Sequence, residues 1–180
     1  MSNIKIIFQL FCLLFLSCSE QENYILNPED SLFNSSLNII GQDNTLDIMT
    51  WNIEHFPKNN LTNLYVKQII DSLNIDIIGL QEIESTSYFN DLLDSLGDNW
   101  VAYRADTNSS WGELSYLINT DEINILQSPY TILHQYESDF AWRLPYVLKI
   151  LYNNVECTLI NIHYKCCDGS EERRLQSSIA

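Results

Sequence analysis

The stretch IDIIGLQEI, residues 75–83, is a continuous apolar run that ends in Gln81 and Glu82. A run without polar alternation is typical of a strand that is buried on both faces of a sheet. The run LDIMTWNI, residues 46–53, predicts a second strand, and Asn52 lies at its end. If these strands are parallel neighbours, both polar ends emerge at one edge of the sheet, where open α/β sheets place their sites.

The segments around these strands alternate between helical and extended patterns. Leu61 to Leu73 predicts a helix with its apolar residues on one face, and a second helix follows around Phe89 and Leu92 and stops at Gly97. The later runs WVAYRA, LSYLIN and INIL predict strands, and PYVLKILYNNVECTLINIHYK predicts two long strands around a tight turn at Asn153-Asn154. A last helix should begin after Ser170, a good N-cap. The order predicts a mixed, layered α/β fold.

The chain has 180 residues and a formal net charge of -15. It is long enough for one domain with a sizeable core. This negative charge argues against binding to nucleic acid or to anionic membranes by general electrostatic attraction. A polyanionic substrate would need a bound cation and local Arg or Lys side chains.

Residues 1–18 form a segment of their own, with Lys5 followed by about a dozen mostly apolar residues. The run is short for a transmembrane span and ends in Leu16-Ser17-Cys18, which resembles a bacterial lipoprotein signal with Cys18 as the lipidated residue. A plain secretory signal and a cytoplasmic protein with an apolar start are the alternatives. Residues 19–45 are rich in Asn, Ser, Asp and Glu and are interpreted as a flexible tether, which leaves residues 46–180 as the folded domain. We therefore expect an exported protein, either a lipoprotein of the cell envelope or a secreted protein. If Cys18 is lipidated, the anchor would hold the protein at the membrane. The sequence indicates no protein partner.

Three cysteines remain outside the signal, namely Cys157, Cys166 and Cys167. Cys157 and Cys166 fall on one predicted extended segment about 30 Å apart, too far for a disulfide. The adjacent pair lacks the spacing of a zinc site, so we expect no metal there.

Glu82 follows an almost uncharged run, so its charge is costly unless a cation faces it. Mg²⁺ or Mn²⁺ is the natural partner of one carboxylate together with the Asn52 amide and waters. The alternative is a surface carboxylate just past a strand end.

The stretch LINIHYK places Asn161, His163 and Lys165 on one face by alternation, with Ile160, Ile162 and Tyr164 on the other. We expect Ile160 and Ile162 to be buried. Such a strand presents a polar surface, although one histidine by itself is more often structural. Arg143 precedes a Leu-Pro pair in WRLPY and enters a strand, where it could reach a phosphate or pair with an acid.

The motifs MTWNIE, DIIGLQEI, WRLPY and LINIHYK…RRLQ, in this order and spacing, resemble the endonuclease/exonuclease/phosphatase superfamily, whose fold is the deoxyribonuclease I-like α/β sandwich. The resemblance covers residues 46–180. It implies that Glu82 binds the metal, that Asn52 lies beside the metal and orients the phosphate, and that His163 contacts the scissile phosphate. It also implies that Arg143 lies along the substrate cleft and that Tyr116 contacts phosphate. Together with Lys165 on the polar face of LINIHYK, these residues are our candidates for binding the substrate phosphate. Members of the family cleave phosphate esters by in-line attack of water, with a metal neutralising charge on the phosphoryl group.

The family's later features are an Asp-x-Asn motif, a further aspartate and an Asp-His pair that activates the water. None of them can be matched after the His163 stretch, because the sequence ends in the predicted helix that follows it. We therefore expect the chain to correspond to roughly the first half of the fold and to be inactive by itself. The leading hypothesis is an exported, Mg²⁺-dependent phosphoester hydrolase, foremost a nuclease. The alternatives are a phospholipid or inositol-phosphate hydrolase of the same fold, and a lipoprotein binding module without catalysis.

Overall fold

The computed structural model of the chain describes residues 40–107, 109, 112–165 and 171–179. The interpretations of residues 1–18 and of Cys18, Cys166, Cys167 and Ser170 lie outside these residues, as does most of the 19–45 tether. The described elements run in the following order: β1 Ile48–Phe56, α1 Thr62–Leu73, β2 Ile77–Ile83, α2 Thr86–Leu96, β3 Trp100–Arg104, β4 Glu113–Asn119, β5 Asn124–Thr131, a short 3-10 helix His134–Tyr136, β6 Tyr146–Tyr152, β7 Val155–Asn161 and α3 Glu171–Ile179.

The strands form two sheets, with the orders β1-β2-β4-β3 and β5-β6-β7. The parallel pairing predicted for the first two strands is confirmed, and Asn52 is aligned with Gln81. The hairpin predicted at Asn153-Asn154 is also confirmed, because both residues have positive φ values of 48° and 61° and connect β6 to the antiparallel β7. Such a two-residue turn matches the right-handed twist of the strands it joins.

The continuous apolar run of β2 is explained by a core on each of its faces. Ile77 packs with Tyr116 and Leu148 between the two sheets. Ile78 and Leu80 pack instead against the helices α1 and α2, and both side chains are fully buried. The fold is therefore a layered α/β sandwich, as predicted, with helices on one side of the first sheet and the second sheet on the other.

The expectation that Ile160 and Ile162 are buried is wrong. Their side chains are 52% and 39% exposed, whereas Asn161 between them is 6% exposed. Alternation does place these neighbours on opposite faces, but the polar residue faces the first sheet and the isoleucines face outward. β7 also ends at Asn161, so His163 and Lys165 follow the strand and are not part of it.

Candidate functional site at the carboxyl ends of β1 and β2

The site lies where the regular pairing of β1 and β2 breaks. The two strands are aligned from Ile48 and Ile77 to Asn52 and Gln81, and the next aligned pair is Phe56 and Ile83. Residues 53–55 of β1 therefore oppose the single residue Glu82 of β2. On the other side of β2 the register with β4 also shifts, between Leu80 and Ile83. Such irregularities bend a strand and redirect a side chain.

Glu82 has the left-handed backbone conformation that redirects it. Its φ is 65°, a value that residues with a Cβ adopt rarely. Leu80 and Ile83 both pack against the helices, although strict alternation would place residues three apart on opposite faces. The left-handed conformation of Glu82 is the break in alternation that allows this. Gly112 makes room for this bend, because a Cβ at residue 112 would lie 2.6 Å from the Glu82 carbonyl carbon.

The Glu82 carboxylate is held by donors from β1. Asn52 Nδ2 donates to Oε1 at 3.1 Å, and the His55 backbone N–H donates to Oε2 at 3.1 Å. His163 Nε2 lies 3.6 Å from Oε1. Burial raises the pKa of Glu82, but the hydrogen bonds from Asn52 and His55 and the nearby His163 outweigh it, so the pKa is lowered overall. Glu82 is therefore ionised at neutral pH.

The Asn52 amide is oriented by its own strand. Its Oδ1 accepts the backbone N–H of Glu54 at 2.9 Å, which leaves Nδ2 facing Glu82 and lying 3.5 Å from His163 Nε2. Asn52 therefore presents an N–H donor to the centre of the site. The structure brings together Asn52, Glu82 and His163, three residues that are widely separated in sequence.

His163 is fixed from behind by Arg143. Arg143 Nη1 lies 2.9 Å from His163 Nδ1, and a guanidinium can only donate, so we infer that Nδ1 accepts and that Nε2 carries the ring proton. Burial first, and the Arg143 charge second, lower the pKa of His163 to about 4. At neutral pH His163 is thus a neutral ring that directs an N–H donor towards the Glu82 side of the site.

A buried amide pair holds β7 against the first sheet and so positions His163. Gln81 Nε2 donates to Asn161 Oδ1 at 2.7 Å, and Asn161 Nδ2 donates to the carbonyl oxygens of Leu80 at 2.8 Å and Ser115 at 3.1 Å. The sequence pattern placed Asn161 on an exposed polar surface with His163. The structure shows it instead as a buried link between the sheets, two residues before the histidine.

Arg143 and Tyr116, both candidates for binding the phosphate, are buried in the structure, and Lys165 lies past the end of the strand on which it was predicted. Arg143 is 4% exposed and lies behind His163, not along an open surface. The structure does not bring Tyr116 to the surface of the site: its ring is 2% exposed and stacks on Tyr146, whose carbonyl oxygen accepts its hydroxyl at 3.0 Å. Burial raises the pKa of the Tyr116 hydroxyl well above its usual range. Lys165 lies past the end of β7, and its carbonyl oxygen accepts a hydrogen bond from Arg174.

No sequence pattern marks Glu84 or Gly112 as part of the site. The predicted strand ends at residue 53, so Glu54 and His55 are expected in the following loop as solvent-facing groups at the rim of the cleft. In the structure β1 continues to Phe56, and both residues have left-handed φ values of 45° and 54°. His55 Nδ1 lies 2.6 Å from Glu84 Oε1, and this carboxylate raises the pKa of His55. A histidine with positive φ gives no sequence signal, because glycine and asparagine are the residues that ordinarily mark that conformation.

Glu82 is the residue of the site whose side chain suits a divalent cation. Within residues 40–107, 109, 112–165 and 171–179 there is no group of three or more His, Cys, Asp or Glu side chains that could hold a metal. Glu82 offers one ionised carboxylate whose two oxygens each accept one hydrogen bond. One carboxylate with waters and a substrate phosphate is a common environment for Mg²⁺, so the residues fit a cation held mainly by Glu82.

Comparisons with known proteins agree with the fold. The profile of the Endonuclease/Exonuclease/phosphatase family matches residues 49–152. A solved structure of D. rerio TDP2 complexed with single strand DNA product has a TM-score of 0.63 and 14% identity, covering 74% of this chain and 52% of that chain. Humanized D. rerio TDP2 with 14 mutations gives a TM-score of 0.61 at 14% identity over 74% and 53% of the two chains. Truncated Caenorhabditis elegans TDP2 gives 0.57 at 20% identity over 72% and 50%. The chain thus spans about half the length of these structures, and no curated protein sequence matches it.

Proposed function

The chain belongs to the endonuclease/exonuclease/phosphatase family, and from its site we propose that it supplies the phosphate-binding residues of a divalent-metal-dependent phosphodiesterase that acts on nucleic acid. The observation that carries the proposal is the convergence of Glu82, Asn52 and His163. An ionised carboxylate and two N–H donors at one exposed edge of a sheet form a site for a cation and a phosphate together. A carboxylate alone would repel a phosphate.

Glu82 is the residue that would hold the metal. A bound Mg²⁺ or Mn²⁺ would neutralise negative charge on the phosphoryl oxygens and on the leaving group. A ligand role for the Asn52 oxygen remains a prediction, and its engagement with the Glu54 N–H favours Asn52 as a donor instead.

His163 and Asn52 would bind the phosphate as donors. Neutral His163 directs its Nε2 proton to a non-bridging oxygen, and the bond from Arg143 to Nδ1 prevents the ring from turning or taking the other tautomer. Donors fixed before substrate binds need no reorganisation as charge develops on the phosphoryl group. Among the described residues we assign no base for the attacking water, because His163 carries its proton on the side that faces the site.

The substrate class follows from the charge and from the space beside the site. With a net charge of -15, the protein cannot hold a long duplex by general electrostatic attraction. Binding must therefore depend on contacts to a few nucleotides at the site. A solvent-open cavity of about 420 Å³ lies between the ends of β3 and β5, lined by Arg104, Asp106, Thr107, Tyr130, Thr131 and His134 among others. Arg104 donates to the Ile83 carbonyl oxygen at 3.1 Å, so this cavity adjoins the end of β2. None of Asn52, Glu82 and His163 lines it, and we propose that the nucleoside attached to the bound phosphate extends towards it. The D. rerio TDP2 structure that contains single strand DNA product supports the same class.

Export and lipid anchoring are part of the proposal and rest on residues 1–18 alone. Among the described residues no helix is long and apolar enough to cross a bilayer. Metabolic labelling with a radioactive fatty acid should mark the wild-type protein and leave Cys18→Ser unlabelled. Equal labelling of both proteins, or none of the wild type, would overturn the lipid anchor.

Calorimetric titration of the full chain tests the proposed site. Thymidine 5′-monophosphate, phosphocholine and inositol 1-phosphate are titrated with and without Mn²⁺, and hydrolysis of single-stranded DNA, sphingomyelin and inositol phosphates is followed in parallel with Mg²⁺. We expect Mn²⁺-dependent binding of the nucleotide that is lost in Glu82→Gln and weakened in His163→Gln. Asp91→Asn and Glu122→Gln, at exposed positions outside the site and the cavity, are the matched controls. Unchanged binding in both site variants would refute the assignment, and preference for either of the other ligands would replace the nuclease by a phospholipid or inositol-phosphate hydrolase.

A further inference from the structure

The last residues of β1 adopt a conformation that their side chains do not favour. Glu54 and His55 have φ values of 45° and 54°, in the left-handed region that glycine occupies most easily. This conformation has a consequence for the site, because it turns the His55 backbone N–H towards Glu82 Oε2, 3.1 Å away. Some interaction must stabilise it against the ordinary extended backbone.

The His55 side chain makes such an interaction. Its Nδ1 lies 2.6 Å from Glu84 Oε1, and the two side chains are 47% and 40% exposed. Glu84 is itself attached to β1, since its backbone N–H and that of Ser85 donate to the Phe56 carbonyl oxygen at 3.0 Å and 3.2 Å. The His55–Glu84 pair therefore connects the end of β1 to the residues that follow β2, close to Glu82.

We propose that the His55–Glu84 pair positions the Glu82 carboxylate by holding the end of β1 in its left-handed conformation, so that the His55 N–H and the Asn52 amide fix one carboxylate oxygen each. This inference rests on the proposed function for the identity of Glu82 as the metal-binding residue. His55 and Glu84 act through Glu82 and are positioning residues. Partners of this kind typically change metal affinity by about 10–100-fold when they are removed.

A competing role for Glu84 is direct metal binding. In the structure its Oε1 is engaged by His55, and Glu82 receives its two hydrogen bonds from Asn52 and His55. The two roles of Glu84 lead to different expectations in His55→Gly. If Glu84 only positions the backbone, it is no longer needed for metal binding, because glycine takes the left-handed conformation freely. If Glu84 binds the metal directly, its removal would still weaken metal binding.

The test uses the full chain and compares His55→Ala, His55→Gly, Glu84→Ala and the double variant His55→Gly/Glu84→Ala. The first readout is hydrogen exchange of the residue 55 amide in metal-free protein, with the amides of Ile78 and Leu80 as internal references. The second is Mn²⁺ affinity, measured by electron paramagnetic resonance of free Mn²⁺. The melting temperature of each variant shows whether the fold is intact.

We expect Glu84→Ala and His55→Ala to speed exchange at residue 55 and to weaken Mn²⁺ binding about tenfold, with the reference amides and melting temperature nearly unchanged. His55→Gly should bind Mn²⁺ more tightly than His55→Ala, and Glu84→Ala should have no further effect in the His55→Gly background. The inference is overturned if exchange at residue 55 does not change in Glu84→Ala, if His55→Ala binds Mn²⁺ like the wild type, or if Glu84→Ala weakens binding equally in both backgrounds. Failure of the wild type to bind Mn²⁺ would instead contradict the proposed function, and the pair would then be judged by the exchange rates.

Discussion

The paired strands β1 and β2 contain two regions of opposite character. Up to Asn52 and Gln81 the register is continuous, and Ile78 and Leu80 are fully buried. Beyond that point three residues of β1 oppose Glu82 alone, and Glu54, His55 and Glu82 all have positive φ. The regular region stabilises the fold, and the irregular region presents polar groups that regular alternation would have separated. The two regions should therefore respond differently to substitution.

The largest loss of stability is expected in the regular region. Leu80→Ala leaves a cavity where β2 packs against the helices, and such changes lower the free energy of unfolding by about 2–5 kcal/mol. Urea denaturation measures this loss. Leu64→Ala, on the exposed side of α1, is the control and should change stability far less. Equal effects of the two substitutions would show that β2 is not the centre of the core.

The next effect is the pH dependence of stability that arises from His163. Its pKa is about 4 in the folded protein, below the ordinary value of 6.5, so the unfolded chain binds the proton more readily between these values. Stability from this residue is complete above pH 6.5 and is lost as the pH falls to 4, by on the order of 3 kcal/mol. In the presence of a metal chelator, His163→Gln should flatten the curve of unfolding free energy against pH in this window. An unchanged slope in His163→Gln would contradict the buried, neutral histidine.

Gly112→Ala tests the close approach that permits the irregular region. The added Cβ would lie 2.6 Å from the Glu82 carbonyl carbon, at a residue with φ of 79°. We expect a loss of about 1–3 kcal/mol in unfolding free energy, together with weaker Mn²⁺ binding as Glu82 is displaced. Gly97→Ala is a matched control, since Gly97 also has positive φ but lies at the end of α2. It should lose stability without losing Mn²⁺ affinity. Unaltered Mn²⁺ binding in Gly112→Ala would show that the close approach of Gly112 does not determine the position of Glu82.

The smallest effect measures the strain at Glu82 itself. Both Glu82→Ala and Glu82→Gly remove the carboxylate, but only glycine is free of the left-handed penalty. Glu82→Gly should therefore be more stable than Glu82→Ala by about 1 kcal/mol, as thermal unfolding would show. The same pair of substitutions at Ile78, in the regular strand, should have the opposite order, because glycine weakens a regular strand. Equal stability of the two Glu82 variants would mean that the backbone relaxes and that the carboxylate does not depend on a strained residue.

The regular region could be predicted from the sequence and the irregular region only in part. The apolar run to Leu80 predicts the central strand, and parallel pairing brings Asn52 beside Glu82, because both depend on patterns that repeat along the chain. The His55 N–H and the close approach of Gly112 depend on single left-handed residues, which leave no periodic trace. Alternation correctly places Ile160 and Asn161 on opposite faces of β7. It cannot show which of the two faces packs against the other sheet.

Arg143 illustrates a different limit. The resemblance implied a contact with substrate phosphate, and the structure places the side chain behind His163, where it fixes the ring tautomer. Which side of a site an arginine occupies depends on the packing of the loop that carries it. The path from Phe140 to Arg143 includes Ala141 and Trp142 with positive φ values of 51° and 61°. No sequence pattern predicts such a path for residues with a Cβ.

We propose that Glu82, Asn52 and His163 form one cation and phosphate site at the break between β1 and β2. Paramagnetic broadening of backbone amide signals tests this when substoichiometric Mn²⁺ is added to the ¹⁵N-labelled full chain. We expect the signals of residues 52–55, 82–84 and 163 to weaken first and this selectivity to disappear in Glu82→Gln. Broadening centred on another part of the chain, or the same pattern in Glu82→Gln, would contradict it.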